Sequence, residues 1–488
     1  MWSKINTYKK SLLIMVAVAI MLGFLIAEPD LKFDSNKKFK IVQFTDVHWE
    51  WGSGNCGKTM ENIESVINIE KPDFVVFTGD IVTSDEVKKA WKKITKPIID
   101  ADIHWAFVNG NHDHEHELER AELIEFMQTL PNFVGHNGRK DVSGEGNYSL
   151  TINSSNKDGQ KFVLYFFDSH AHPDNYLYGQ YDRIKFDQIQ WYYQKSESLK
   201  READEIPPAL AFFHIPLLEY KGLMEHDKYA VGSQYETPAS SEINSGLFSV
   251  FLESGDVMGV FVGHDHINDY IGNLYGISLG YGRVSGFDAV GDRLDIGARV
   301  IELRQGQRKF TTWIRSNGKI FNKYHYPNNE LHEKENTKYL PAKKLNNQEY
   351  GIKYSYYEGQ YKAVDEMQES DLVKTGELKN ISLAPSERDD YFGIKYSSWL
   401  KVPQKGIYKF IVSSDDGSVL FIDDQEVVNN DGSHSVRRES GIVGLEKGMH
   451  KFDLHYFEDY AGDSLEIKIQ SLNIKKQKLP ADMLFIRK

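Results

Sequence analysis

Cysteine is all but missing: Cys56 stands alone among 488 residues. No disulfide can form within the chain, and a zinc site built on several thiolates is excluded. Any metal ion must therefore be held by His, Asp, Glu or Asn, and Cys56 itself is expected to be buried and inert. Positive charge is also in deficit. With 58 Lys and Arg against 71 Asp and Glu, the net charge is −13, so no nucleic-acid backbone is expected as a partner. Long apolar runs are rare too. The sole one, Leu12 to Ala27, follows Lys4, Lys9 and Lys10 and precedes Glu28 and Pro29. That is the pattern of an export signal, although Leu25 suits a small-x-small cleavage site badly. Residues 1–27 are expected to be a signal peptide, or a membrane anchor if uncleaved. The protein is expected to be periplasmic, cell-surface or secreted.

What is present is ample core material, 40% hydrophobic and 13% aromatic, in a chain long enough for two domains. Strand-like runs such as Lys40–Thr45, Phe74–Thr78, Ile103–Val108, Phe162–Phe167, Ala209–Phe213 and Met258–Val262 alternate with helical stretches. Lys58 to Glu70 has apolar residues at helical spacing and a stop at Pro72. Strands of this kind, bounded by helices, predict a sheet covered on both faces. The first domain is expected over 38–316. A polar linker, rich in Asn, Lys and Glu, is expected over 317–347. Residues 348–488 read as all-β, with short strands between Gly, Asp and Asn turns.

Five polar clusters follow directly on apolar strands. They are Asp46-Val47-His48, Gly79-Asp80, Gly110-Asn111-His112-Asp113, His214, and Gly263-His264-Asp265-His266. Carboxyl ends of strands in open α/β sheets converge on one crevice, so these distant residues can meet. Carboxylates, imidazoles and one amide are ligands for divalent transition metals. Residues i and i+2 of an extended segment face one side, so Asp46 with His48, and His264 with His266, can each grip an ion. Asp80, with two oxygens, suits a bridge between two ions. Singly, each residue is equally readable as a turn residue; the ordered set is what points to metal chemistry. His114 and His116 read as a solvated helix start with Glu115 and Glu117. His170 and His172 read as loop residues near the cleft, and Tyr176, Tyr178 and Tyr181 as packing and surface aromatics.

In this order, and with the flanking runs Phe39–Trp49, Asp73–Asp80, Asn109–Asp113, Ala211–Tyr220 and Val260–Asp269, the chain resembles the calcineurin-like metallophosphoesterase superfamily, in its purple-acid-phosphatase-like branch. The resemblance implies an α/β four-layer sandwich of two mixed sheets flanked by helices. It implies one ion held by Asp46, His48, Asp80 and His266, and a second held by Asp80, Asn111, His214 and His264. Their identity, Mn, Fe or Zn, is left open. His112, beside Asn111, would be the catalytic imidazole, and a hydroxide bridging the metals would attack phosphorus. Two departures stand out. Many relatives have an Asp three positions after the bridging Asp to orient the catalytic His; Thr83 stands there, leaving Asp113 as a nearby candidate. No Tyr follows Gly79-Asp80, so a purple ferric site is not expected.

A second series, from Tyr356-Tyr357-Glu358-Gly359 through Ser414-Asp415-Asp416-Gly417-Ser418 to Gly448-Met449-His450, resembles the protective-antigen-type β-barrel module. This implies an all-β barrel or sandwich at the C-terminus. It also implies a calcium site on Asp415 and Asp416, with Asn430 or Asp431 more loosely assigned, and a glycan or cell-surface ligand. The same residues are good turn chemistry. The expected activity is metal-dependent hydrolysis of phosphate esters, monoesters favoured. The alternatives are a phosphodiesterase or nucleotide hydrolase, and a glycan-binding surface protein with a vestigial metal domain.

Overall fold

Strands buried on both faces dictate the layering. In β1 (Lys38–Phe44), Ile41 packs inward against a second sheet while its neighbour Val42 packs outward against helices. The same split recurs in β2 (Phe74–Phe77) and β3 (His104–Phe107). Continuous apolar runs therefore suit these strands better than polar alternation. The computed structural model describes residues 30–488 apart from 157, 158, 204, 290–292 and 335; the expected signal or anchor over 1–27 lies outside the described residues.

The chain divides into two units, cut after Pro327. In the first, β1, β2 and β3 run parallel, and on the other side of β1 follow β10 (Ala298–Arg304), β11 (Phe310–Ser316) and β12 (Lys319–Tyr326), each antiparallel to its neighbour. The second sheet has the order β4-β5-β6-β7-β9-β8, over Tyr148–Ile152, Phe162–Phe166, Ala209–Phe212, Val257–Val262, Ile277–Tyr281 and Ile271–Leu274. Its middle pairings are parallel and its two outer ones antiparallel. Both sheets are thus mixed, as expected. One core, including Ile41, Phe74, Phe166, Phe212 and Phe261, lies between them, and helices cover the two outer faces. The helix Cys56–Glu70 ends on Lys71 in the left-handed conformation, its N–H donating to the Ile67 carbonyl, with Pro72 barring continuation. Cys56, expected buried, is only half-buried at the start of that helix, where Sγ donates to the Glu50 carbonyl.

The expected linker is corrected. Within 317–347, Lys319–Tyr326 is the edge strand of the first sheet, turned back on β11 by Asn317 and Gly318, both at positive φ. An Asn-Gly pair with two positive φ angles makes the tight turn whose twist matches paired strands. Its polar composition reflects an exposed edge. Further on, Tyr339–Leu340 pairs with Gly444–Leu445 in the second unit.

The second unit is all-β. A five-stranded and an eight-stranded sheet contribute to one core, including Ile394, Tyr396, Leu454, Phe410 and Val412. Among the described residues neither sheet closes on itself, so the sandwich expectation holds and the barrel does not.

Candidate metal centre

Three of the five clusters leave their strands in a conformation that side chains seldom adopt. Asp46, His48, Asp80 and His264 all have positive φ, between 42° and 79°. Non-glycine residues held there are strained, and such strain concentrates where function requires it. Close packing of the turns does the holding. Asp46 N–H donates to the Gly79 carbonyl at 3.1 Å and His48 N–H to the Asp80 carbonyl at 3.0 Å. His264 N–H reaches both Asp46 carboxylate oxygens, at 3.1 and 3.0 Å.

Glycine makes two of these approaches possible. A Cβ at Gly110 would lie 2.2 Å from Asp80 Oδ1, and one at Gly263 would lie 1.9 Å from Thr45 Oγ1 and 2.8 Å from Asp46 Oδ2. Gly263→Ala is therefore expected to destabilise the protein by about 1–3 kcal/mol through overpacking and to lower its metal content. Urea unfolding and elemental analysis check both.

Two groups of ligand-type atoms result. Asp46, His48 and His266 form one and Asp80, His214 and His264 the other, the atoms of each lying within 4.8 Å of one another. Asp80 Oδ2 links them, 3.1 Å from His214 Nε2 and 3.7 Å from His48 Nε2. Asn111 Oδ1 is 3.0 Å from His214 Nε2. All seven side chains singled out as ligands thus come from five strand ends into one place, with His112 beside them. The ring of His112 lies 5.8 Å from that of His48, and its backbone N–H donates to Asp80 Oδ1 at 2.8 Å.

The electrostatics of His48 and His264 fit a cation-binding set. Burial drives His48 down to about 3 and His264 well below its ordinary value, so both imidazoles present neutral nitrogens. Burial also raises Asp46. It disfavours charge on Asp80 and His214 too, yet their mutual attraction prevails: Asp80 is held well below the carboxylate range and His214 is pushed up to about 9. His214 Nδ1 donates to the Thr78 carbonyl at 2.7 Å, which aims Nε2 at Asp80. Two buried ligand atoms of this site are orphaned: His48 Nε2 and His264 Nε2 have no hydrogen-bond partner. Buried nitrogens without partners are costly unless something else satisfies them. The residues fit a pair of divalent ions.

Asp113 does not orient His112. Its oxygens accept the backbone N–H groups of Asp80, Ile81 and Gly110 at 2.7, 2.8 and 2.8 Å, bracing two of the turns. The imidazole Nδ1 of His112 instead meets Glu115 Oε2 at 2.8 Å. Residues 114–117 form turns rather than a helix start; the helix is Arg120–Met127, capped reciprocally by Glu119 and Glu122. His116 pairs with Asp85 at 3.2 Å. His170 Nε2 is spent on Gln188, and His172 Nδ1 lies 2.8 Å from the Gln180 carbonyl.

Two further residues touch the site that the sequence did not single out for it. Arg120 pairs with buried Asp168 and donates to the Gly110 carbonyl at 2.7 Å, fixing the Asn111 loop from behind. Tyr181 stands edge-on to His264, ring centroids 4.4 Å apart. Neither carries a motif signal, since each partner lies in a remote loop.

In the second unit, Asp415, Asp416 and Glu458 offer oxygens within 4.8 Å of one another. Glu458 is buried, its Oε1 has no partner, and burial pushes its carboxyl up to about 8. Asn430 is committed elsewhere, to Ser414 and Arg437, and Asp431 Oδ1 accepts Val364 N–H.

Residues 39–268 match the family described as Calcineurin-like phosphoesterase, and residues 348–482 match the PA14 domain. The chain is 34% identical over 316 residues to "Probable inactive purple acid phosphatase 29" of Arabidopsis thaliana, covering 58% of this chain and 81% of that one. It is 32% identical over 317 residues to "Phosphatase DCR2" of Saccharomyces cerevisiae, covering 58% and 54%. A solved dimetal phosphatase from Danio rerio aligns with a TM-score of 0.43 at 13% identity, over 59% of this chain and 98% of that chain.

Proposed function

The chain belongs to the calcineurin-like phosphoesterase family and carries a C-terminal PA14 domain, and on that premise we propose that it is an exported two-metal hydrolase favouring phosphate monoesters. The observation that carries the reading is the pair of ligand groups joined through Asp80 Oδ2, with buried His48 Nε2 and His264 Nε2 left partnerless by the protein. Asp46, His48, Asp80 and His266 would hold one ion, and Asp80, Asn111, His214 and His264 the other. A pair of divalent ions, when bound, supplies Lewis acidity toward phosphoryl oxygens and water. The chain's own contribution is alignment: Asp113 and Arg120 lock the turns, Thr78 fixes the His214 ring, and His112 stands ready to protonate the leaving oxygen.

The relative named inactive keeps a binding-only reading in play, and the intact ligand set supports turnover against it. Purified protein supplied with Mn²⁺, Zn²⁺ or Fe²⁺ is expected to hydrolyse p-nitrophenyl phosphate faster than bis-p-nitrophenyl phosphate. Preference for the diester would replace phosphatase by phosphodiesterase, and turnover of neither would favour the binding reading. Export is supported by Lys4, Lys9, Lys10 and the apolar run Leu12–Ala27. It is checked by locating the protein in cell fractions and sequencing its N-terminus.

For the PA14 domain we propose calcium at Asp415, Asp416 and Glu458, as hard carboxylate oxygens suit that ion, and a glycan or cell-surface ligand. The partnerless, buried Glu458 Oε1 favours this reading. Calorimetric titration of the full chain with calcium is expected to give a binding heat that Asp416→Asn removes. An unchanged heat in that variant rejects the site.

A further inference from the structure

We propose that Glu115 is the positioning residue for His112, fixing which ring nitrogen faces the metal groups; this rests on the hydrolase reading above. His112 is pinned twice. Its backbone N–H is held by Asp80 Oδ1 at 2.8 Å, and its Nδ1 by Glu115 Oε2 at 2.8 Å. The carboxylate reaches it because the chain turns at once: Glu115 N–H donates back to the His112 carbonyl at 3.2 Å. An imidazole's two nitrogens lie on opposite edges, so engaging Nδ1 with an acceptor leaves Nε2 as the nitrogen presented to substrate.

The neighbouring acids are engaged elsewhere. Asp113 braces three backbone N–H groups, and Asp85 meets His116. Glu117 accepts Val87 N–H at 3.0 Å, and Glu119 caps the helix Arg120–Met127. Thr83, three residues after Asp80, has no carboxylate to offer. Glu115 supplies one from three residues downstream of the imidazole instead. Its side chain is 45% exposed and that of His112 39%. Water therefore competes for this bond, and its loss weakens catalysis without abolishing it.

The test compares Glu115→Ala and Glu115→Gln with the unaltered full chain, zinc-loaded. Two-bond ¹H–¹⁵N spectra, with His112 assigned by its loss in His112→Ala, read the tautomer without substrate. Read in the neutral ring, the form left once Nε2 has given up its proton, the unaltered protein is expected to keep its remaining proton on Nδ1, the Ala variant to shift it toward Nε2, and the Gln variant, which keeps an acceptor oxygen, to restore it. In turnover, Glu115→Ala is expected to lose roughly 10-fold in kcat, the low end for a group that orients another, with KM and zinc content unchanged. Glu115→Gln is expected to recover most of that loss. A neutral ring protonated on Nε2 alone in the unaltered protein, full kcat in Glu115→Ala, or Glu115→Gln as slow as Glu115→Ala overturns the positioning role. Absence of turnover in the unaltered protein overturns the hydrolase reading instead, and leaves the spectrum to decide on Glu115.

Discussion

Asp80→Asn is expected to empty both ion positions and bring turnover down to background. The expectation follows from where Asp80 sits. It is buried, its Oδ2 lies between His214 and His48, and its Oδ1 holds the His112 backbone. An amide is isosteric but neutral, and its NH₂ group cannot bind a cation. The change removes the one charge shared by both groups. Losing a residue that merely supports a ligand costs about 10–100-fold; losing the shared ligand is expected to cost more. Retention of two ions per chain together with unaltered kcat would show that Asp80 is not the bridge.

His112→Ala is expected to separate chemistry from metal binding. The loss in kcat should be roughly 10²–10⁴-fold, the range for a positioned acid or base, while the metal content stays that of the unaltered protein. The loss should be larger for an alkyl phosphate than for p-nitrophenyl phosphate, whose departing oxygen needs a proton least. Its neighbour Asn111, by contrast, contacts His214 directly, so Asn111→Ala is expected to disturb both metal content and rate. Full activity in His112→Ala, or equal losses on both esters, would remove it from the role of acid.

The site was legible in the sequence because its logic is local. Each candidate ligand directly follows an apolar strand, and strand ends converge whatever the loops between them do. Glu115 was not legible: Glu and His in alternation look like a solvated helix start, and only the turn at His112–Glu115 brings carboxylate to imidazole. Arg120 and Asp168 were hidden for another reason, since their pairing joins a helix start to a loop 48 residues away.

The fold divides in the same way. Apolar runs announced strands covered on both faces, and the resemblance alone implied that they form two sheets. The polar stretch after residue 316 concealed an edge strand, although Asn317-Gly318 was the turn signal that could have revealed it. Whether the C-terminal strands close into a barrel depends on registers between distant segments, such as Phe392–Val402 on Gly448–Glu458, which strand-by-strand reading does not supply.

Elemental analysis of the unaltered protein, after equilibration with excess Mn²⁺, Zn²⁺ or Fe²⁺ and removal of free ion, tests the account most directly. About two transition-metal ions per folded chain are expected, as a two-metal phosphoesterase requires, falling toward none in Asp80→Asn. A folded chain that retains no such ion, or retains as many after Asp80→Asn, would contradict it.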